Sequence, residues 1–240
     1  MTCCTPTGYR TVFGPKTVER EVRRYTRKGL AASARWLFER LHAADITGRS
    51  VLEIGGGIGD LQIELVEAGA AHATNIELID TYEDAASTLI AERGFEQRID
   101  RRTGDFAVEA DAAPTADIVV MHRVICCYSD PDTLVSAACD HSSDRIAITV
   151  PRESWWVKLG FAAMNAWFRV RRIGFRAYVH PIERMTDVAA THGFHSIDEQ
   201  RGGMWTSMIL GRNHVEPHSG ATAATSSAST FLEPNASAPR

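Results

Sequence analysis

The sequence predicts an α/β fold with a doubly wound, seven-stranded sheet whose last strand is antiparallel. Short apolar segments typical of buried parallel strands alternate with amphipathic helical patterns along most of the 240 residues. Four glycines occupy five positions, residues 55–59, between the first such segment and a helical pattern. Near the end of this region, two apolar segments flank Gly202 and Gly203 and predict an antiparallel pair.

The first 45 residues are expected to form an arm and a helical cap. Residues 1–14 contain Pro6, Gly8 and Gly14 and are predicted to be irregular, whereas residues 15–45 show helical spacing with a break near Gly29. The first part of this helical region is basic, which usually indicates a solvated face. The alternative is a lid that attracts an anionic substrate, with Tyr25 facing inward.

Residues 46–213 are expected to form the main domain. Its strands are predicted at residues 51–54, 72–78, 98–103, 116–121, 145–150, 194–199 and 204–210. Its helices are predicted at residues 61–69, 81–93, 133–139 and 185–192. Residues 154–180 hold three of the five tryptophans and are expected to form a lid after strand five. Two alternatives remain for this segment, an ordinary buried helix and an amphipathic helix on a membrane surface.

Composition narrows the function classes. The net charge of −4 argues against a nucleic-acid partner, and no apolar stretch is long enough to predict a signal peptide or a stable membrane insertion. The five cysteines include no C-x-x-C spacing, so we predict reduced thiols, no metal site and a cytoplasmic location. The Ser-, Ala- and Thr-rich residues 214–240 are expected to be disordered. No feature of the sequence indicates an oligomeric state.

The glycine turn carries the strongest functional signal. The pattern runs Glu53-Ile-Gly55-Gly56-Gly57-Ile-Gly-Asp60, and a strand, glycine turn and helix bring backbone close to a ligand. A dinucleotide-binding turn would have a third glycine at position 60. The pattern instead resembles the first motif of Rossmann-like S-adenosylmethionine-dependent methyltransferases. That resemblance implies that the glycines contact the cofactor and that Glu53 lies near its ammonium group.

Two further strand ends fit an adenosine ligand. Glu77 ends the second strand, 24 residues after Glu53, and precedes Leu78. In nucleotide-binding folds, an acid at this position accepts hydrogen bonds from ribose hydroxyls. The third strand ends in Gly104-Asp105-Phe106, which resembles the methyltransferase pattern in which the acid contacts the adenine amino group and the apolar neighbour covers the ring. All five residues are predicted to bind the cofactor.

The end of the fourth strand is expected to lie near the reacting methyl group. Met121 and His122 are predicted to contact the cofactor, with His122 also a candidate catalytic residue, because ligands bind beyond the carboxyl ends of strands near the switch point of the sheet. Tyr128, at the end of the same loop, is predicted to bind the substrate, as is Trp155 in the lid.

Residues 175–181 resemble a segment of magnesium-protoporphyrin O-methyltransferases. Arg176, Tyr178 and His180 stand at alternate positions, so in an extended chain they share one face. We expect Arg176 to pair with a substrate carboxylate, and Tyr178 or His180 to orient or deprotonate the acceptor. The glycine motif departs from this family, which usually has Asp-x-Gly-Cys-Gly, so the resemblance leaves a porphyrin as one acceptor among the alternatives.

The sequence therefore predicts an S-adenosylmethionine-dependent methyltransferase. Its acceptor is expected to be a small hydrophobic acid or alcohol that can be anionic, methylated at oxygen. Contact with a membrane surface is left open. The alternatives are a nucleotide-dependent oxidoreductase and a binding protein that has lost catalysis on the same scaffold.

Overall fold

The computed structural model describes residues 6–212, which form eight α-helices and seven strands. The helices are α1 (Pro6–Val12), α2 (Pro15–Lys28), α3 (Ala32–Ala43), α4 (Asp60–Glu67), α5 (Glu83–Glu92), α6 (Pro131–Asp140), α7 (Trp155–Val170) and α8 (Ile182–Thr191). The strands are β1 (Ser50–Ile54), β2 (His72–Glu77), β3 (Ile99–Thr103), β4 (Ala116–His122), β5 (Ser142–Pro151), β6 (Phe194–Gly202) and β7 (Trp205–Arg212). Residues 1–5 and the predicted tail at 214–240 lie outside the described part.

The seven strands form one sheet in the order β3-β2-β1-β4-β5-β7-β6. Strands β1 to β5 are parallel, and β7 runs antiparallel to both β5 and β6. The predicted doubly wound sheet with its antiparallel last strand is confirmed. The strand order reverses between β1 and β4, and this topological switch point is where such sheets bind ligands.

Alternation along β4 shows how the sheet is covered on both faces. Ile118 and Val120 belong to the core beneath α3 and α4, whereas Val119 and Met121 belong to the core beneath α6 and α8. All four side chains are fully buried. Successive strand residues point to opposite faces, so a continuous apolar run is what a strand with helices on both sides requires.

The N-terminal arm differs from the prediction, because residues 6–12 form helix α1 rather than an irregular segment. Pro6 is tolerated at the first helical position, and Gly8 serves close packing instead of breaking the helix. A Cβ on Gly8 would overlap the backbone carbonyl of Gly174, which lies in the loop after α7. The first helix of the chain therefore packs against the predicted lid.

The insertion after β5 consists of α7 followed by an extended segment. The side-chain amide of Asn165 donates to the carbonyl of Ala177 at 2.7 Å and accepts from its N–H at 3.0 Å. The N–H of Tyr178 donates to the carbonyl of Cys126 at 2.7 Å. These three bonds fix the extended segment between α7 and the loop that follows β4. Among the described helices, none is long and apolar enough to cross a membrane.

Candidate functional site

A cavity of about 450 Å³ lies at the carboxyl ends of β1 to β4, within the size range of small-molecule sites. One part of its wall, called here the polar half, consists of the glycine turn and the ends of β2 and β3. The other part, the apolar half, is formed by α1, α7, the segment after α7 and the start of β7. The apolar half contains Tyr9, Phe13, Phe161, Met164, Phe168, Phe175 and Trp205.

The glycine turn lies directly over a buried carboxyl group. Gly55 and Gly57 adopt positive φ angles of 66° and 57° and line the cavity with Gly56. A Cβ on Gly56 would lie 2.5 Å from Oε2 of Glu53, so only glycine fits there. Glu53 is 2% exposed, and Oε2 has no hydrogen-bond partner among the described residues. Burial, reinforced by Asp60, raises the pKa of Glu53 to about 8.

Glu77 joins the end of β2 to the glycine turn. Its Oε2 accepts from the N–H of Gly57 at 2.9 Å, and its Oε1 accepts from the N–H of Leu78 at 3.0 Å. Burial raises the pKa of Glu77, and these two bonds act in the opposite direction. Glu77 and Leu78 both line the cavity, so a carboxylate with remaining lone pairs faces the polar half.

The end of β3 supplies a second carboxylate to the polar half. Gly104, Asp105 and Phe106 line the cavity, and Oδ1 of Asp105 accepts from the N–H of Ala107 at 3.1 Å. Phe106 is buried beside the carboxylate. Tyr128 lines the cavity nearby, and burial followed by the charge of Asp105 raises its pKa. The structure thus brings Tyr128 close to the β3 end.

Helix α2 covers the glycine turn and adds two cavity residues that the sequence did not single out. Arg24 pairs with Asp60 at 2.9 Å, and Glu21 is hydrogen-bonded to Tyr82. All four residues line the cavity. Burial, followed by the charge of Asp60, raises the pKa of Glu21. Two features of the sequence indicated this cluster. They are the basic residues of α2 and the presence of Asp60 where a dinucleotide-binding turn has a glycine.

His122 lines the cavity as a neutral imidazole. Its Nε2 lies 2.9 Å from Oγ of Ser33, and Oγ also accepts from Nη2 of Arg123 at 2.9 Å. The serine hydroxyl has two lone pairs and one proton, so Nε2 of His122 can accept from it or donate to it. Burial, reinforced by Arg123 and Arg24, lowers the pKa of His122 to about 3. The imidazole is therefore neutral and weakly basic, and Ser33 engages its Nε2 in either tautomer.

Arg123 is a second residue that the sequence did not identify. Its φ of 63° is rare for a residue with a side chain, and its N–H donates to the carbonyl of Thr149 at 3.1 Å. The guanidinium lies over the ring of Trp205 at 4.5 Å, and its buried Nε has no hydrogen-bond partner. Within residues 6–212, Arg123 makes no ion pair with a carboxylate. A cation therefore borders the apolar half of the cavity. The positive φ angle of Arg123 could not be predicted from the residue type.

Seven predicted site residues lie outside the cavity wall, and three of them belong to the segment after α7. Glu53 lies beneath the turn, and Met121 is fully buried in the core below α6 and α8. The hydroxyl of Tyr25 donates to Oε1 of Glu64 at 2.9 Å, which turns that side chain toward α4. Trp155 is 76% exposed on the outer face of α7. The predicted direct contacts of these residues with cofactor or substrate are not supported by their positions.

The segment after α7 presents the opposite face from the predicted one. Phe175 and Ala177 line the cavity, whereas Arg176, Tyr178 and His180 do not. Arg176 stacks on the ring of Tyr178, and Nε2 of His180 lies 2.9 Å from the carbonyl oxygen of Tyr128. The alternation was predicted correctly, but a change of one residue exchanges the two faces. The geometry gives these three residues a structural position, and burial lowers the pKa of His180.

Comparison with known proteins identifies relatives of this architecture. Residues 22–198 match the family model described as a methyltransferase domain. No curated protein matches the chain. The magnesium protoporphyrin IX methyltransferase from Synechocystis PCC 6803 with bound SAH is 17% identical, with 84% of each chain covered and a TM-score of 0.58. An S-adenosylmethionine-dependent methyltransferase from Mesorhizobium loti is 11% identical over 75% of this chain and 99% of that one, with a TM-score of 0.59.

A third similar structure, an O-methyltransferase family protein from Burkholderia thailandensis, has a TM-score of 0.67 at 16% identity. The match covers 88% of this chain and 65% of that one. At these identities the three structures show a shared fold.

Proposed function

The chain belongs to the methyltransferase-domain family and is an S-adenosylmethionine-dependent methyltransferase, and from this premise we propose that it methylates a small apolar carboxylic acid at oxygen. The observation that carries the proposal is Arg123, a cation without a carboxylate partner at the border of an aromatic wall. The oxidoreductase alternative has no support in the family match.

The polar half fits the cofactor. We assign Glu77 to the ribose hydroxyls, because a carboxylate is an acceptor for two neighbouring hydroxyl donors. Asp105 is assigned to the adenine amino group and Phe106, with Leu78, to the faces of the ring. Gly56 is needed because a Cβ there would overlap the buried side chains of Glu53 and Asn75 beneath the turn. Glu53 contributes from beneath the turn through its negative potential when ionised, and not by contact.

The apolar half fits an acceptor that is hydrophobic apart from one anionic group. Tyr9, Phe13, Phe168 and Phe175 pack edge to face and supply an aromatic surface. Arg123 would hold one oxygen of a carboxylate through a charge-assisted hydrogen bond. The acceptor's second oxygen is then left to act as the nucleophile.

No general base is required for this reaction. His122 is neutral with its Nε2 engaged by Ser33, and Glu21 is engaged by Tyr82. An alcohol would need such a base, whereas a carboxylate is already ionised near neutral pH.

When bound, S-adenosylmethionine supplies an electrophilic methyl group on a sulfonium. The new bond joins that carbon to the acceptor oxygen, the carbon–sulfur bond breaks with its electron pair on sulfur, and no proton is released. The protein contributes orientation and the exclusion of water, which are mainly proximity effects.

The test is a panel of aromatic and aliphatic carboxylic acids beside the matching alcohols and amides, with S-adenosylhomocysteine formation as the readout. We expect the acids alone to give product, identified by mass spectrometry as methyl esters. Turnover of the alcohols instead of the acids would contradict the proposal.

The arginine is tested by Arg123→Gln. We expect the KM for the acid to rise about 10- to 100-fold, the range for losing a hydrogen bond to a charged group, with cofactor affinity within about twofold. Arg123→Lys should recover part of the loss. The control Arg102→Gln, on the exposed edge strand β3, should leave both constants unchanged. An unchanged KM in Arg123→Gln would remove the arginine from the acceptor site.

A further inference from the structure

The outer face of α7 carries an unusual concentration of exposed apolar side chains. Five of the eight large apolar side chains exposed within residues 6–212 lie on this one helix. They are Trp155, Trp156, Leu159, Trp167 and Val170. Trp155 is 76% exposed and Val170 is 80% exposed. Contiguous apolar surface of this kind marks an interaction site, because isolated exposed apolar residues are normal and clusters are not.

Helical geometry places these residues on one side of α7. At 100° per residue, the five residues and the exposed Ala163 and Ala166 fall within a sector of about 120°. The opposite side of α7 holds Val157, Phe161 and Phe168, which are buried. The helix is therefore apolar on two faces, one toward the cavity and one toward solvent.

Charge indicates what the outer face binds. Residues 154–180 contain five basic residues and no Asp or Glu. Arg169 lies along the margin of the apolar sector, as does Lys158, which pairs with Glu153 at 3.6 Å. Arg171, Arg172 and Arg176 follow at the C-terminal end of the sector. Tryptophan and arginine beside an apolar stripe are the composition of a helix that lies in the interface of an anionic bilayer.

We propose that the outer face of α7 docks on the surface of an anionic lipid membrane, with the helix parallel to the bilayer plane. The tryptophan rings would enter the headgroup region, and the arginines would meet lipid phosphates and carboxylates.

Docking would place the bilayer one helix away from the cavity. The inner side of α7 contributes Phe161, Met164 and Phe168 to the apolar half. A hydrophobic acceptor dissolved in the membrane would then reach the cavity past the same helix. Lipid binding itself does not depend on the identity of the acceptor or on methyl transfer.

The experiment measures binding of the full chain to two kinds of vesicle. One kind is phosphatidylcholine alone, and the other contains about 30% phosphatidylserine, which gives the vesicle a negative surface potential. We expect sedimentation with the anionic vesicles and a blue shift of tryptophan emission on binding. Absence of sedimentation and of the shift with both vesicle types would overturn the proposal.

Two variants separate the apolar and charge contributions. Trp155→Ser with Trp167→Ser should weaken binding at least about 10-fold, because each buried aromatic side chain contributes strongly to partitioning. Arg169→Gln with Arg171→Gln should weaken binding to anionic vesicles about 25-fold, at about fivefold per charge, with little effect on neutral vesicles.

Matched controls use exposed residues elsewhere. Val108→Ser with Ile197→Ser removes exposed apolar surface, and Arg102→Gln with Arg201→Gln removes two positive charges, as the α7 variant does. Both should bind within about twofold of the unchanged chain. If the tryptophan variant melts early, Val170→Glu provides a second change at an exposed position and should also lose binding. Equal loss of binding in the control variants would contradict the assignment to α7. So would a second result, in which the unchanged chain binds no lipid but forms a dimer that the tryptophan variant abolishes.

Discussion

At the scale of single residues, Glu77 holds the glycine turn and is also the residue that we assign to the ribose of the cofactor. Both of its oxygens accept backbone N–H groups, from Gly57 and Leu78, and these bonds hold the carboxylate against the cavity. The same bonds fix the turn that the cofactor must approach. A change at this residue therefore acts on ligand contacts and on preorganisation together.

We expect Glu77→Ala to weaken S-adenosylmethionine binding by about 1–3 kcal/mol, because ribose donors are left without acceptors. Isothermal titration calorimetry measures the change. Asp111→Asn, at an exposed carboxylate outside the cavity, is the control and should bind normally. Unchanged affinity in Glu77→Ala would exclude the ribose assignment.

Glu53 gives the protein a pH-dependent stability. Its pKa rises from 4.5 to about 8 through burial and the charge of Asp60, so the folded state holds this proton more tightly than the unfolded state does. The stabilisation is fully present below about pH 4.5 and is lost as the pH rises toward 8.

Glu53→Gln removes this titration and keeps the shape of the side chain. Between pH 5 and 8.5, we expect the Tm of the unchanged chain to fall relative to that of Glu53→Gln by at least about 4 °C, the shift for roughly 1–2 kcal/mol in a chain of this size. Calorimetry of both proteins without cofactor provides the comparison. Parallel pH curves would show that Glu53 does not titrate in this range.

At the scale of elements, α1 and α7 close the apolar half from opposite ends of the chain. Tyr9 on α1 and Phe13 directly after it meet Phe175, and the hydroxyl of Tyr9 donates to the carbonyl of Cys127. The contact depends on Gly8, which allows the helix to approach Gly174.

Gly8→Ala should separate α1 from the loop after α7, since the added Cβ would overlap backbone and not a flexible side chain. We expect faster hydrogen exchange in residues 6–13 and 173–178 and a lower Tm. Gly160→Ala is the matched control, because that helical position is open and alanine favours a helix by about 0.5–1 kcal/mol over glycine. Equal protection of α1 in both variants would refute the packing argument.

The same elements show which parts of the site could be predicted from the sequence. Glu77, Asp105 and the glycine turn could be predicted because parallel strands end at one edge, so their order in the sequence fixes their meeting place. The face presented by residues 175–180 could not, because it depends on the bonds from Asn165 and Cys126, which are distant in sequence. Arg123 was missed because residue type does not reveal a positive φ. Helix α1 could not be predicted because a glycine such as Gly8 usually interrupts a helix, and here it allows close packing instead.

At the scale of the whole molecule, the cap is part of the same core as the sheet. Val18 and Tyr25 of α2 pack in one cluster with Leu61 of α4. Arg24 reaches Asp60, and Tyr25 reaches Glu64. The predicted boundary at residue 45 thus falls between elements that share buried contacts. Ligand binding at the glycine turn should therefore also stabilise α2.

We expect S-adenosylhomocysteine at 100 times its Kd to raise the free energy of unfolding by about 2.7 kcal/mol, as mass action requires for a ligand of the folded state. Hydrogen exchange should slow in residues 15–28 as well as in residues 55–62. Helix α8, whose residues do not line the cavity, serves as an internal reference and should show a smaller change. Protection confined to residues 55–62 would mean that α2 is not coupled to the site.

The placement of the two cavity halves along the chain has a kinetic consequence. The polar half comes from residues 54–107, whereas the apolar half joins residues 9–13 to residues 161–177 and 205. Closing the second set requires a loop of about 150 residues, and such long-range contacts form late because chain entropy must be lost first. After dilution from denaturant, we therefore expect adenosyl-ligand binding to recover in an earlier phase than the burial of the aromatic wall. The folding chain would recognise its cofactor before it has enclosed a place for the acceptor.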